Sequence, residues 1–447
     1  MSLLDEYSCD CLKSELDLFE VPPTNTSIGD CKFIQFYPIT STTIGGPIEF
    51  VIKTSNDVYL DLSSTLLYTK SRILLRGGSE ITESLTTDNR YVAPINYWGC
   101  TQFKDIQVYI NGRLVSNNDN LSAYRSYLET LLTYSEQSKN DQLACSLFYK
   151  DNGDNLDWID ENIADPEKTK NEGLTIRYEK TKNSKTFETF GRIHSEMFTQ
   201  NKLFPGGNEI RIKFFRTNPD FSLISKTKTA DSFQISTDTA ILYIRQCEIP
   251  DYILESHKKA IQTRNMKFPV RRGMLKFFSK SSGRSDLSEP NLVSGTLPTK
   301  LIIGLVDSEA FNDNINKNPF NFQNFNLQSI VLRKNGTAMP FEELCFDYNN
   351  DIYTQGYMSL IIATSKLFQD QGFNITPEEY KNGYTLYGFD LTSDITPGNS
   401  INLLQQGKLS LELKLKEVCS SSITIIVYLE FESIVELNAQ GEVFINE

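Results

Sequence analysis

Lys408-Leu-Ser-Leu-Glu-Leu-Lys-Leu-Lys416 decides the fold. Leu409, Leu411, Leu413 and Leu415 fall on one face, and Lys408, Ser410, Glu412, Lys414 and Lys416 on the other. A period of two places alternate side chains on opposite sides of an extended chain, so the stretch reads as a half-buried β-strand. The same alternation returns elsewhere. Ile210, Ile212 and Phe214 interleave with Glu209, Arg211 and Lys213. Ile48, Phe50 and Ile52 form another row, and Ile423, Ile425, Val427, Leu429 and Phe431 a longer one. Ile106, Val108 and Ile110 run into Asn111-Gly112, which supplies the positive φ angles of a tight hairpin.

Helical signals are few. Ser122 is read as the cap of a segment in which Tyr124, Tyr127, Leu128, Leu131 and Leu132 recur at helical spacing. Pro250 is read as opening a second helix with Ile253, Leu254, His257 and Ile261 on one side. The pattern is that of an antiparallel β protein with two or three short helices.

The features repeat in order. Asn111-Gly112 ends a strand starting near Phe103, and Asn335-Gly336 ends one containing Ile330, Val331 and Leu332. Tyr124-Arg-Ser-Tyr127-Leu128 follows the first turn, and Tyr353-Thr-Gln-Gly-Tyr357-Met358 the second. Phe190-Gly191 then matches Tyr387-Gly388, and Glu209–Phe215 matches Leu409–Leu415. Last, Thr239-Ala-Ile-Leu-Tyr243-Ile matches Thr424-Ile-Ile-Val-Tyr428-Leu. The spacing between matches shrinks along the chain, as insertions in first-half loops would cause. The largest is the acidic stretch around Asp151 to Glu172. Half of a 447-residue chain per copy suits two packed four-stranded antiparallel sheets, a jelly roll. An immunoglobulin-like module needs only about 100 residues. A propeller repeats every 40–50 or so. The expected fold is therefore all-β, a double jelly roll of two tandem eight-stranded β-sandwiches. A few short helices lie in its loops. Residues 1–27 are assigned to an N-terminal arm, 28–250 to the first jelly roll and 251–447 to the second.

Hydrophobic residues make up 39% and charged residues 23%, an ordinary globular composition. The net charge of −13 argues against coating DNA with the whole surface, though not against one basic face. Asp5, Glu6 and Asp10 stand where a secretory signal would be basic, and no apolar run approaches a membrane span. A soluble chain made in a reducing compartment is expected. Its eight scattered cysteines are then mostly buried free thiols.

Further blocks carry a resemblance. They are Lys13-Ser-Glu-Leu-Asp-Leu-Phe19, Val21-Pro-Pro-Thr24, Gly46-Pro-Ile-Glu-Phe50 and Tyr124-Arg-Ser-Tyr-Leu-Glu-Thr-Leu-Leu132. Leu147-Phe-Tyr-Lys-Asp151, Gly191-Arg-Ile-His-Ser195, His257-Lys-Lys-Ala260 and Gly295-Thr-Leu-Pro298 follow, then Asn318-Pro-Phe-Asn-Phe322 and Tyr428-Leu-Glu-Phe431. Spanning nearly the whole chain in order, they resemble the double jelly-roll major capsid proteins of Polintons (Mavericks), adintoviruses and polinton-like viruses. Leu121-Ser-Ala-Tyr124 departs from the aromatic-Pro-Tyr approach common in that family. The resemblance implies a structural protein without catalysis or cofactor. It implies homotrimers whose six jelly rolls form a pseudo-hexagonal capsomer, tiling an icosahedral shell around double-stranded DNA. The implied partners are the chain itself, penton and minor capsid proteins and, weakly, the packaged DNA. The implied location is the virion, after synthesis in the host cytoplasm or nucleus. The alternative from another class is a jelly-roll carbohydrate-binding or cupin-like protein, which two histidines equip poorly with metal ligands.

One charge feature stands out. Lys258, Lys259, Arg264, Lys267, Arg271, Arg272, Lys276, Lys280 and Arg284 fall in a window with no acidic residue. The plain reading is a solvated or internally paired basic face. The sharper one is an inner-face patch toward packaged DNA, or a contact with an acidic partner subunit. Cys9 and Cys11 lack the second ligand pair of a zinc site and fit a flexible arm. His194 and His257 stand in separate repeats and are free to meet in space, although His257 suits a core or interface role. Asp151-Asn-Gly-Asp154-Asn-Leu-Asp157 lacks the glycine and closing glutamate of a calcium loop and reads as an exposed polar loop. Leu74-Leu-Arg-Gly-Gly78 is similar to a protease-recognised Gly-Gly site but reads more simply as a Gly-rich turn after a strand. Nucleophile-elbow and phosphate-loop motifs are absent.

Overall fold

The computed structural model describes residues 7–8, 11, 13–19, 21–43, 45–82, 91–116, 118–157, 171–225, 232–393 and 400–446. Cys9, Asp5, Glu6, Asp10 and most of the acidic insertion lie outside them.

The first half supplies eight principal strands: β1 (Cys31–Phe36), β2 (Ile48–Ile52), β3 (Val58–Leu75), β4 (Phe103–Ile110), β5 (Arg113–Ser116), β6 (Phe187–Arg192), β7 (Ile210–Arg216) and β8 (Phe233–Glu248). They pair as β1-β8-β3-β6 and β2-β7-β4-β5, every pair antiparallel. The second half supplies β9 (Met266–Lys280), β10 (Glu289–Thr296), β11 (Lys300–Asp307), β12 (Leu327–Lys334), β13 (Thr337–Ala338), β14 (Leu386–Asp390), β15 (Gln406–Leu415) and β16 (Ile423–Leu437), with β17 (Val443–Asn446) added beside β16. These pair as β9-β16-β11-β14 and β10-β15-β12-β13. Each half thus has the same strand order, that of a jelly roll.

The local reasons are those of the sequence. In β15, Leu409, Leu411, Leu413 and Leu415 are buried and Lys408 and Lys414 exposed. Asn111-Gly112 and Asn335-Gly336 take positive φ at both positions, joining β4 to β5 and β12 to β13. Gly77 and Gly78 also take positive φ in the turn after β3.

The helices differ in part from expectation. α1 (Ser122–Thr133) begins with Ser122 already inside it; Leu121 holds the cap position, and the Ser122 hydroxyl accepts from Asn118. α3 (Asp251–Ile261) opens after Pro250 as its spacing predicts. α2 (Glu172–Thr181) and α4 (Thr354–Ala363) are additional. α2 starts at the end of the stretch read as an acidic loop, capped by Asn171. The reading of Asp151–Asp157 as an exposed polar loop holds at Asp154 and Asp157, which are exposed, and is corrected at Asp151. The Asp151 and Arg177 side chains are both fully buried and paired at 2.8 Å. Asp157, though exposed, accepts from the Asn318 amide at 2.5 Å.

The two halves share their packing. Phe268, Val270, Val435 and Leu437, at one end of β9 and β16, pack in the apolar cluster of Phe50, Phe103, Ile212 and Leu242 from the first half. The other end of the same strands, Leu275 and Ile423–Leu429, belongs to a second cluster with Tyr127, Leu131 and Phe148 of the first half. Burial on both faces explains why Ile423–Leu429 is an apolar run and not a strict alternation.

Candidate functional site

α1 is the hinge of the arrangement. Its Tyr124, Tyr127, Leu128, Leu131 and Leu132 are all buried. Tyr127 stacks on Phe320 with ring centroids 4.0 Å apart, and Tyr124 stacks on Phe311 at 5.8 Å. The polar side of α1 is buried too. Arg125, 1% exposed, donates to Glu129 and Glu196, each at 2.8 Å, and to Asn118 at 2.7 Å. It lies over Gly273 of β9, where a Cβ would approach its guanidinium to 2.9 Å. Tyr428 of β16 donates to Glu129 at 3.1 Å. His194 Nδ1 donates to the same carboxylate at 2.7 Å, and its Nε2 is hydrogen-bonded to the Tyr97 hydroxyl at 3.1 Å. Burial pushes the Glu129 carboxyl up, but Arg125 and His194 outweigh it and hold it below the usual carboxylate range. A second network joins the halves farther along. Arg177 reaches the Pro94 and Tyr149 carbonyls and Asp151, while Asn318 and Tyr384 of the second half close on Asp151.

These contacts cover the face of the sheet β9-β16-β11-β14 that carries Tyr428 and Gly273. Among the described residues, nothing covers the corresponding face of the matching first-half sheet, β1-β8-β3-β6. Tyr243, the sequence counterpart of Tyr428, accepts from Gln35 at 3.3 Å on an exposed surface. Around it Phe33 and Phe190 are 54% and 38% exposed, and Tyr68, Phe190 and Tyr243 form a row with centroids 5.0 and 5.7 Å apart. Tyr37 and Leu66 extend this aromatic face. The middle of one outer face is thus buried within the chain, with Phe277 and Arg271 left exposed at its margins, and among the described residues its repeat-related twin is bare. Sequence inspection passed over the bare face because β3 and β8 bury their other side too. The Tyr243–Tyr428 match was the available signal.

The basic window divides among several surroundings. Lys258 and Lys259 are exposed in the last turn of α3, where a helix C-terminus favours cations. Arg264 and Lys267, with Lys202, border a cleft of about 650 Å³ beside α3. Along β9 successive side chains alternate. Lys267 and Arg271 therefore share one face, and Arg272, Lys276 and Lys280 the other. Several have partners: Lys267 pairs with Glu436 at 3.5 Å, Lys276 donates to the Leu292 carbonyl at 2.8 Å, and Lys280 pairs with Glu289 at 3.5 Å. Arg284 is exposed beyond the strand.

The histidines do not meet. His194 sits in the seam, whereas His257 is exposed on α3 and bonded to the Tyr59 hydroxyl at 2.8 Å. A core place for His257 is thereby corrected. The thiols are also less buried than expected. Cys100 and Cys247 are buried, Cys31 and Cys419 intermediate, and Cys11, Cys145 and Cys345 exposed. Among the described residues no three His, Cys, Asp or Glu side chains group as metal ligands, and no helix is long and apolar enough to cross a membrane.

Solved structures share this arrangement. A chain of the Sputnik virophage cryo-EM structure covers 100% of this chain with 94% of its own length, at a TM-score of 0.63 and 11% identity. The Faustovirus major capsid protein gives 0.55 and 9% identity, covering 93% of this chain and 92% of its own. The mavirus major capsid protein gives 0.50 and 9%, covering 100% and 95%. The fold is the double jelly roll of viral capsid proteins. By sequence, the uncharacterized protein F54H12.2 of Caenorhabditis elegans is 24% identical over 426 residues, 94% of this chain and 97% of the relative. No family model matches the chain.

Proposed function

We propose that the chain is a major capsid protein of the Polinton (Maverick) and adintovirus type. In this reading it forms homotrimeric, pseudo-hexagonal capsomers that tile an icosahedral shell around double-stranded DNA. It works in the virion, beside penton and minor capsid proteins. The reading divides the chain into the arm, residues 1–27, and jelly rolls at 28–250 and 251–447.

The observation that carries it is the unequal fate of Tyr428 and Tyr243. Within one chain, the α1 loops of the first jelly roll cover the outer face of the second. The repeat counterpart of α1 is α4. Its loops, with Ile352 and Phe368 60% and 94% exposed, are assigned to cover the bare Tyr243 face of the next copy. A head-to-tail contact repeated this way makes a closed ring when the rotation fits. Six alike modules close it after three chains. The contact with DNA is assigned to Lys258, Lys259 and Arg264 at the exposed end of α3.

Electron microscopy of the protein expressed alone tests the reading. Pseudo-hexagonal particles, singly or in shells, are the expected result. Uniform single-chain particles at high concentration contradict it.

A further inference from the structure

The sequence places Cys31 and Cys247 far apart, yet β1 and β8 set them directly opposite each other in antiparallel register. Their sulfurs lie 2.8 Å apart. Both are free thiols, Cys247 buried in a small apolar cluster with Tyr59, Ile249 and Leu254, and Cys31 at its partly exposed rim. β1 is an edge strand, paired on one side to β8 and open on the other. It is also the strand through which the N-terminal arm enters the sheet.

We propose that Cys31 and Cys247 are a site of reversible disulfide formation that locks the first strand onto the sheet. The proposal does not rest on the capsid reading. The pair already meets the main geometric demand on a cross-link, which is facing Cβ vectors at strand spacing. The order of events follows from exposure. Cys31 as thiolate attacks a small-molecule disulfide such as oxidised glutathione, and the small molecule's S–S bond breaks to release one thiolate. Cys247 then loses its proton to water and attacks the Cys31 sulfur, expelling the second thiolate. Two protein thiols are oxidised to one disulfide while one small disulfide is reduced to two thiols. Cys31, partly exposed, is the one an oxidant reaches first, and burial raises the Cys247 thiol behind it, so Cys247 serves as the resolving partner. The bond closes a sequence separation of 216 residues, which restricts the unfolded chain strongly.

The test treats the full chain with graded oxidised glutathione at pH 8. Unreduced digests are then mapped by mass spectrometry, and thermal unfolding is followed. The expected result is a Cys31–Cys247 cross-linked peptide pair at low oxidant. The unfolding midpoint should rise by roughly 5 °C and return on reduction. Cys31→Val and Cys247→Val each abolish the rise, and the wild-type protein carries the test should either variant misfold. Stable glutathione adducts on Cys31 without the cross-link would overturn the proposal. So would oxidation confined to Cys11, Cys145 and Cys345, or a cross-link that leaves the midpoint unchanged.

Discussion

Tyr428, on the long strand β16, donates its hydroxyl to Glu129 of α1 at 3.1 Å, although 299 residues separate them. The bond joins the outer face of the second jelly roll to a helix from the first. It stands in a buried ionic cluster, where the cost of desolvation is offset only while every member is present.

Removing the central cation should therefore cost far more than a surface pair would. Arg125→Met leaves Glu196 buried without its cation and Glu129 held by His194 and Tyr428 alone, and urea unfolding should show a loss of about 3–5 kcal/mol. Tyr428→Phe removes a single hydrogen bond to a charged group and should cost about 1.5–3 kcal/mol. Adding Glu196→Gln to Arg125→Met should restore part of the loss.

Close packing of α4 on β14 makes a second prediction. A Cβ on Gly388 would stand 2.6 Å from the Ala363 Cβ and 2.9 Å from the Leu360 Cα. Gly388→Val should destabilise by about 1–3 kcal/mol in the same assay, because helix or strand must move.

Lys139 gives stability a pH dependence of known sign. Its side chain is buried and donates to the Leu131 and Phe373 carbonyls. Burial, then Lys150, lowers it from the ordinary 10.5 to about 7. Between those values the unfolded chain binds more protons than the folded one. The contribution of this residue to stability therefore rises from pH 7 toward pH 10.5. Lys139→Met should flatten that part of the profile in denaturant titrations at stepped pH.

The proposed DNA contact makes another prediction: charge reversal at Lys258, Lys259 and Arg264 should weaken binding of double-stranded DNA. The slope of log affinity against log salt should fall by up to about 3 for the triple variant. Reversal at Lys276 and Lys280, which serve β9 and β10, should cost stability and leave that slope alone.

Strands whose one face is wet were legible in the sequence. β15 is the plainest case, and the Asn-Gly turns fixed the hairpins around it. The collinear matches disclosed the duplication because β4–β5 and β12–β13 obey the same turn chemistry. Residues that act across the seam were harder to find. Arg125 and Glu129 look like ordinary helix-surface charges until strands of the second half cover them, as does Arg177 until Pro94, Tyr149 and Asp151 close on it. Asp151 and Asp157 likewise passed for loop residues, because a partner such as Asn318 stands 161 positions from Asp157. The Cys31–Cys247 contact left no local signal, since it depends on which strands become neighbours.

The central claim is that the bare aromatic face around Tyr243 is filled by a second copy of the chain. Sedimentation equilibrium tests this directly, comparing wild type with a Phe190→Asp, Tyr243→Asp double variant at half-exposed positions. The expected result is a wild-type mass of about 150 kDa, three chains of 51.0 kDa, and a folded 51.0 kDa variant. A wild-type protein that stays at 51.0 kDa at tens of micromolar or so, or a double variant that still trimerises, would contradict it.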